Sequence, residues 1–161
     1  MDTFEAIEKR RSVKSFDPNH VISKQEIDKI LSAAILSPTS YNIQHWRFVV
    51  VTNKETKAKL REASWNQAQV SDSSVVIILC ADLLAWKKDP ARYWRNAPKS
   101  TQDYVVPAIL ESYESNEQFQ RDEAIRSCGM AAQTIMLAAK AMNYDSCPMI
   151  GFVPEKVAEI I

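Results

Sequence analysis

The chain has 161 residues, 46% hydrophobic and 25% charged, with 20 Lys+Arg against 20 Asp+Glu and a net charge of zero. That size suits one domain with its own core, and the balanced charge excludes the basic excess expected of a nucleic-acid binder. No apolar run approaches the ~18 residues of a membrane span, and the three scattered cysteines, Cys80, Cys128 and Cys147, read as buried free thiols of a reducing, cytoplasmic setting, without metal-ligand spacing.

From the N-terminus, a short amphipathic helix is expected over Thr3–Arg10, with Phe4 and Ile7 on one face. Its exit carries Arg10-Arg11-Ser12-Val13-Lys14-Ser15-Phe16. Such a run either complements the helix dipole as solvated charge or binds a phosphate, whose dianion rewards convergent charge-assisted donors. Ser23-Lys24-Gln25-Glu26 is a capping box for a second helix that stops before Pro38. The cluster Ser37-Pro38-Thr39-Ser40-Tyr41-Asn42-Ile43-Gln44 is either a turn or a set of donors and acceptors for the edge of a flat heterocycle.

Apolar runs at 47–52 and 75–81 read as buried strands, with a polar helix at 54–64 between them. In residues 82–120, Trp86, Tyr93, Trp94, Tyr104, Tyr113 and Phe119 lie among Pro90, Pro98 and Pro107. These aromatics either pack helices against a core or form a lid over a planar ligand. A long helix follows over 121–143, apolar on nearly all sides and so expected to be buried on nearly all sides. Gly129 in its middle costs about 1 kcal/mol relative to alanine, which suggests close approach by another backbone, and a dimer interface would supply the burial. Residues 147–153 read as strand or turn, and Pro154-Glu155-Lys156 starts a last helix. The fold class is α+β. With only two glycines there is no Rossmann or P-loop phosphate turn, so a bound phosphate must be held mainly by side chains.

Taken in order, three segments carry a resemblance: Arg10 to Phe16, Ser37 to Phe48, and Cys147-Pro148-Met149-Ile150-Gly151-Phe152. Together they resemble the signatures of the FMN-dependent nitroreductase family over nearly the whole chain. The resemblance implies one flavin-binding domain spanning 1–161, with a central, mostly antiparallel sheet flanked by helices. It also implies a homodimer with the long helix and FMN at the subunit interface. Electrons would pass from NADH or NADPH to a nitroaromatic, quinone or similar planar acceptor in ping-pong fashion. Arg10 and Ser12 would hold the phosphate and ribityl groups, and Arg11 belongs to the same cofactor-binding set. Lys14 would sit by the pyrimidine O2 and tune the reduced ring. Pro38, Thr39, Ser40 and Asn42, with Gln44, would line the ring from the partner subunit, and Asn66 and Gln67 would meet the pyrimidine edge. Pro148, Met149, Ile150 and Gly151 would pass the N5 side, with the backbone N–H of Ile150 or Gly151 facing N5. The resemblance requires no catalytic acid–base side chain and no metal.

The chain departs from the family pattern at two places. His45 stands where proline is usual, and members usually continue beyond the position of Ile161 with a further strand and a phosphate-binding base, so that segment is expected to be missing. Three rivals accompany the main expectation: a flavin-binding redox sensor with little turnover, a specialised flavin enzyme such as a reductive dehalogenase, and a helical dimerisation module.

Overall fold

Asp2 opens the first helix, α1 (Thr3–Lys9), with its carboxylate accepting the Glu5 N–H while Glu5 reaches back to the Asp2 N–H. The computed structural model describes all residues from Met1 to Ile161. The capping box at Ser23 forms as expected, Ser23 N–H to Glu26 Oε2 at 3.0 Å and Glu26 N–H to Ser23 Oγ at 3.2 Å, and starts α2 (Lys24–Ala34). Asn53 caps α3 (Lys54–Ala63) through the Thr56 N–H. The remaining helices are α4 (Ala68–Asp72), α5 (Lys99–Tyr113), α6 (Glu117–Ala141) and α7 (Pro154–Ile160). Strands β1 (Trp46–Val51) and β2 (Val76–Ala81) pair in a two-stranded sheet. The pair is antiparallel, and one end is closed by the Asp82 N–H donating to the His45 carbonyl at 2.8 Å.

The chain resolves into two compact units. The first comprises Met1–Ala33, Phe48–Ile78 and Ile135–Ile161; the second comprises Ala34–Arg47 and Leu79–Thr134. In the first unit, Val51, Leu60, Ala63, Val70 and Val157 make one apolar cluster, and Ile22, Ile27, Ile30 and Ala139 make another. In the second unit, Ile43, Ala85, Trp86, Val105, Ile109 and Tyr113 form the core, with Tyr41, Tyr93, Trp94 and Phe119 packed against it. The aromatics of 82–120 are therefore core residues in the main, as one of the two alternatives held. Tyr104, 78% exposed, is the exception.

Several expectations need correction. The strands are only partly buried, and Val50 is 38% exposed. Each strand of a two-stranded sheet is an edge strand, so neither is enclosed as a central strand would be. Along α6 only Ala124, Ser127, Ala131 and Ala139 are buried, so the chain itself covers one stripe of this helix, not its whole surface. No atom lies within 4 Å of a Cβ built on Gly129, so no backbone of this chain makes the close approach expected there. The three cysteines are free but only half-buried. Of the two readings of residues 147–153, strand or turn, the structure has the turn, closed by the Phe152 N–H on the Ile150 carbonyl, and the adjoining Ser146 makes a single parallel bridge to Ser12.

Candidate flavin site

In the first unit, the Ser12–Ser146 bridge, with the Val13 N–H on the Ser146 carbonyl at 3.1 Å, fixes the chain leaving α1. The Arg10 and Lys14 side chains take part in no ion pair. Lys14 and Ser12 are exposed and Arg10 is half-buried. Arg11 is used differently: its Nη1 donates to the Glu8 carbonyl at 2.6 Å and the Arg10 carbonyl at 2.8 Å, capping the end of α1. Arg10, Ser12 and Lys14 thus remain the groups able to meet an anion.

The end of α3 supplies a second part of this unit's surface. The Asn66 N–H donates to the Arg61 carbonyl at 3.0 Å, a Schellman-type closure with Trp65 in the left-handed position that glycine usually takes. Trp65 and Asn66 have φ of 55° and 56°, and the turn throws the Trp65 indole outward, 69% exposed. Gln67 Nε2 donates to the Gly151 carbonyl at 2.9 Å and the Ser64 carbonyl at 3.2 Å. Pro148 and Ile150 are exposed, the latter to 96%, while Met149 packs into the cluster beneath. The N–H groups of Ile150 and Gly151 donate to no acceptor in the chain, whereas those of Phe152 and Val153 bond the Ile150 and Ala63 carbonyls. The first unit therefore contains free cations, a hydroxyl, an amide-bearing turn and two free backbone donors, with the Ser12–Ser146 bridge and the Gln67–Gly151 bond joining segments that carry them.

In the second unit, Pro38 to Gln44 forms a tight loop around a turn of 3-10 helix at Ser40–Asn42. Tyr41, Asn42 and Gln44 have φ of 49°, 56° and 56°. Left-handed backbone at a tyrosine is costly and survives only when its surroundings over-determine it. Here they do. Ile43 is fully buried, the Trp94 indole N–H bonds the Tyr41 carbonyl at 3.0 Å, and the Gln44 N–H bonds Thr39 Oγ1 at 3.1 Å. Asn42 Oδ1 accepts from Gln44 Nε2 at 3.2 Å, and Arg47 Nη1 bonds the Gln44 carbonyl at 2.9 Å.

His45 follows this loop and is fully buried, so its place is the core. Its Nδ1 lies 3.3 Å from the Asp82 carbonyl and its Nε2 lies 3.4 Å from Tyr113 Oη. A carbonyl only accepts, so Nδ1 carries the proton and Nε2 accepts from the phenol. Burial pushes the imidazole below its ordinary value; the Asp82 carbonyl and the charges of Glu123 and Asp82 oppose this, and Arg47 adds to it. Burial likewise pushes the Tyr113 phenol up to about 12, partly offset by the Ser40 hydroxyl. Because the folded His45 resists protonation, the unfolded chain binds more protons below its ordinary value of about 6.5, and stability falls as pH drops through that window. Urea unfolding at pH 7.5 and pH 5 should show this loss in the wild type and a smaller one in His45→Gln; equal losses would remove His45 as the cause.

A separate groove of about 480 Å³ in the first unit, bordered by His20, Ile27, Leu31, Val50 and Lys57, contains none of the expected site residues. Lys57 is buried there with its amine on the Ser73 carbonyl, and burial lowers its pKa.

The sequence profile described as the Nitroreductase family matches residues 7–161. The chain belongs to the nitroreductase family. It is 56% identical to Protein DrgA of Synechocystis, covering all of this chain and 77% of that protein. It is 32% identical to an oxygen-insensitive NADPH nitroreductase of Helicobacter pylori, over 96% of this chain and 77% of the relative. Among solved structures, an Exiguobacterium sibiricum protein assigned to the nitroreductases and crystallised in complex with FMN is 36% identical, with a TM-score of 0.89 over 99% of this chain and 80% of that one. A Bacillus subtilis protein assigned likewise is 34% identical, with a TM-score of 0.92 over 98% of this chain and 79% of that one. The nitroreductase-like α+β fold is thereby shown.

Against this nitroreductase frame, sequence inspection passed over Trp65. A tryptophan closing an amphipathic helix reads as core, and only the left-handed turn at Trp65-Asn66 turns it to the surface. It also passed over Tyr113 as a support for the 38–44 loop, because contacts between residues so far apart in sequence leave no local pattern.

Proposed function

We propose that this chain is an FMN-dependent oxidoreductase that takes electrons from NADH or NADPH and passes them, by a ping-pong mechanism, to a nitroaromatic, quinone or similar planar acceptor. The observation that carries the proposal is the pair of acceptor-free N–H groups at Ile150 and Gly151, in the same unit as the unpaired Arg10 and Lys14. FMN, when bound, supplies the hydride chemistry at its N5. The residues do the rest: Arg10 and Ser12 bind the phosphate and ribityl groups, and Lys14 places positive charge beside the pyrimidine O2. The Ile150 or Gly151 N–H donates to N5. The donor set fits the group, because a dianion, an electron-rich carbonyl edge and a ring nitrogen each meet a donor that is not already engaged. With no carboxylate or imidazole required at the reacting atoms, solvent supplies the protons.

The loop from Pro38 to Gln44 lines the ring from the partner subunit of a homodimer. What supports a second copy is the apolar surface left open on α1 and α6: Phe4 at 79% exposure, Ile7 at 51%, Ile125 at 48%, and the bare Gly129. The segment 82–120 sets acceptor preference, and the free cysteines suit a cytoplasmic setting.

The test is an absorbance spectrum of the protein from about 300 to 550 nm, with added FMN, before and after anaerobic NADH and then NADPH. Flavin bands that bleach with either nucleotide are expected. Bands that bleach only with dithionite would replace the enzyme by a flavin-binding sensor, and the lack of any bound flavin would defeat the proposal.

A further inference from the structure

One side chain ties the turn after α3 to the segment before α7. Gln67 Nε2 donates one proton to the Gly151 carbonyl at 2.9 Å and the other to the Ser64 carbonyl at 3.2 Å, while Gln67 Oε1 accepts from Gln69 Nε2 at 2.9 Å. Both donors of this amide are therefore engaged within the chain. A second strap runs beside it, from the Val153 N–H to the Ala63 carbonyl at 2.9 Å. Within the segment, the Phe152 N–H donates to the Ile150 carbonyl at 3.1 Å, closing a three-residue turn centred on Gly151. Of the two peptide planes flanking Gly151, the one before it is held through the Ile150 carbonyl by Phe152, and the one after it through both the Phe152 N–H and the Gly151 carbonyl, the latter by Gln67. The approach is close, since a Cβ at Gly151 would lie 2.9 Å from Trp65 Cζ3 and 3.0 Å from Gln67 Nε2.

We propose that Gln67 is a positioning residue and not a ligand of the flavin edge: by holding the Gly151 carbonyl, and through the turn that Phe152 closes on Ile150, it aims the free Gly151 N–H. This departs from the pyrimidine contact that the family resemblance implies for Gln67, and leaves Asn66, whose side chain makes no hydrogen bond in the chain, as the amide free to meet a ligand. The proposal rests on the flavin reading for the purpose of the aim, but the clamp itself is a property of the protein alone. Glutamate has the same shape without the donors and would set an anion against two carbonyl oxygens, so Gln67→Glu tests the hydrogen bonds and not the bulk.

The first experiment is residue-resolved amide hydrogen exchange on the flavin-free chain. In the wild type, Phe152 and Val153 should be protected and Gly151 should not. In Gln67→Ala and Gln67→Glu, exchange at Phe152 and Val153 should rise about tenfold, the worth of one lost hydrogen bond, with α5 unchanged. Exchange at these amides that matches the wild type in both variants overturns the clamp, whatever the flavin does. The second experiment uses the FMN-loaded protein. Gln67→Glu should shift the midpoint potential and the flavin spectrum while FMN affinity stays within about threefold of wild type, because Arg10 and Ser12 still hold the phosphate. A large loss of FMN affinity with unchanged exchange would make Gln67 a direct ligand and reject the proposal. Wild-type protein that binds no FMN would defeat the flavin reading and the aim it gives the clamp, while the exchange result still decides the clamp itself.

Discussion

Tyr113→Ala is expected to lower the free energy of unfolding by about 3–5 kcal/mol, the usual range for removing a fully buried aromatic. Tyr113 has no exposed surface and touches four other rings: Phe119 at 4.9 Å between centroids, Trp86 and His45 at 5.9 Å, and Tyr41 at 6.4 Å. Truncation leaves a cavity among these rings and strips His45 Nε2 of its donor. Tyr113→Phe separates the two effects. It keeps the ring contacts and loses only the hydroxyl, so a cost of about 1–2 kcal/mol is expected. Urea unfolding followed by tryptophan fluorescence measures both, since Trp86 and Trp94 lie in the same core. A Tyr113→Ala cost below about 1 kcal/mol would mean that the core of the second unit collapses around the gap, contrary to the packing seen. The same truncation bears on the candidate site, because Tyr41 and Ser40 lean on Tyr113 from the 38–44 loop.

That loop shows where sequence inspection succeeds and where it stops. Helices with local signals were readable: the box at Ser23-Glu26 formed, the polar run from Lys54 became α3, and α7 starts at Pro154. The order of the three signature segments was also readable, since it is written in the chain. The left-handed backbone was not. Eight non-glycine residues have positive φ, among them Tyr41, Asn42, Gln44, Trp65 and Asn66, and neither glycine does. A chain with two glycines must place its tight turns on other residues, and tyrosine or tryptophan there gives no warning, because their ordinary place is the core. Five of those eight positions lie in or beside the segments expected to bind the cofactor. Strain of this kind is retained where geometry matters more than stability.

Burial was the other quantity the sequence misjudged. The apolar runs at β1, β2 and α6 predicted enclosure, yet one chain covers these elements only in part. An apolar sequence reports that a surface is to be covered and does not say by which chain. His45 shows the reverse. At the position where the family usually has proline, nothing in the sequence placed the histidine inside, yet it is a neutral core residue bonded on both ring nitrogens.

Within the proposed function, Arg10 and Lys14 divide the work, and their replacement should produce different losses. Arg10→Ala should weaken FMN binding by about ten- to a hundredfold, since a charge-assisted hydrogen bond is worth about 1.5–3 kcal/mol. A guanidinium meeting a phosphate dianion does so equally in both redox states of the ring, so this variant, once saturated with FMN, should keep the wild-type midpoint potential and rate of reduction. Lys14→Met should do the opposite. Its amine would lie beside the ring carbonyl where negative charge gathers on reduction, an interaction stronger after reduction than before, and only such differential interactions alter rate and potential. Affinity for oxidised FMN should fall modestly, while the potential drops and reduction by NADH or NADPH slows. The titrations should be run at two salt concentrations, because the Arg10 contribution is Coulombic and weakens with ionic strength. If Arg10→Ala binds FMN as tightly as the wild type at both, the run from Arg10 to Phe16 is only solvated charge at a helix end. If Lys14→Met leaves the potential unmoved, the charge beside the ring must come from another residue, and Arg11, released from the carbonyls it caps, is the nearest cation in sequence that could take its place.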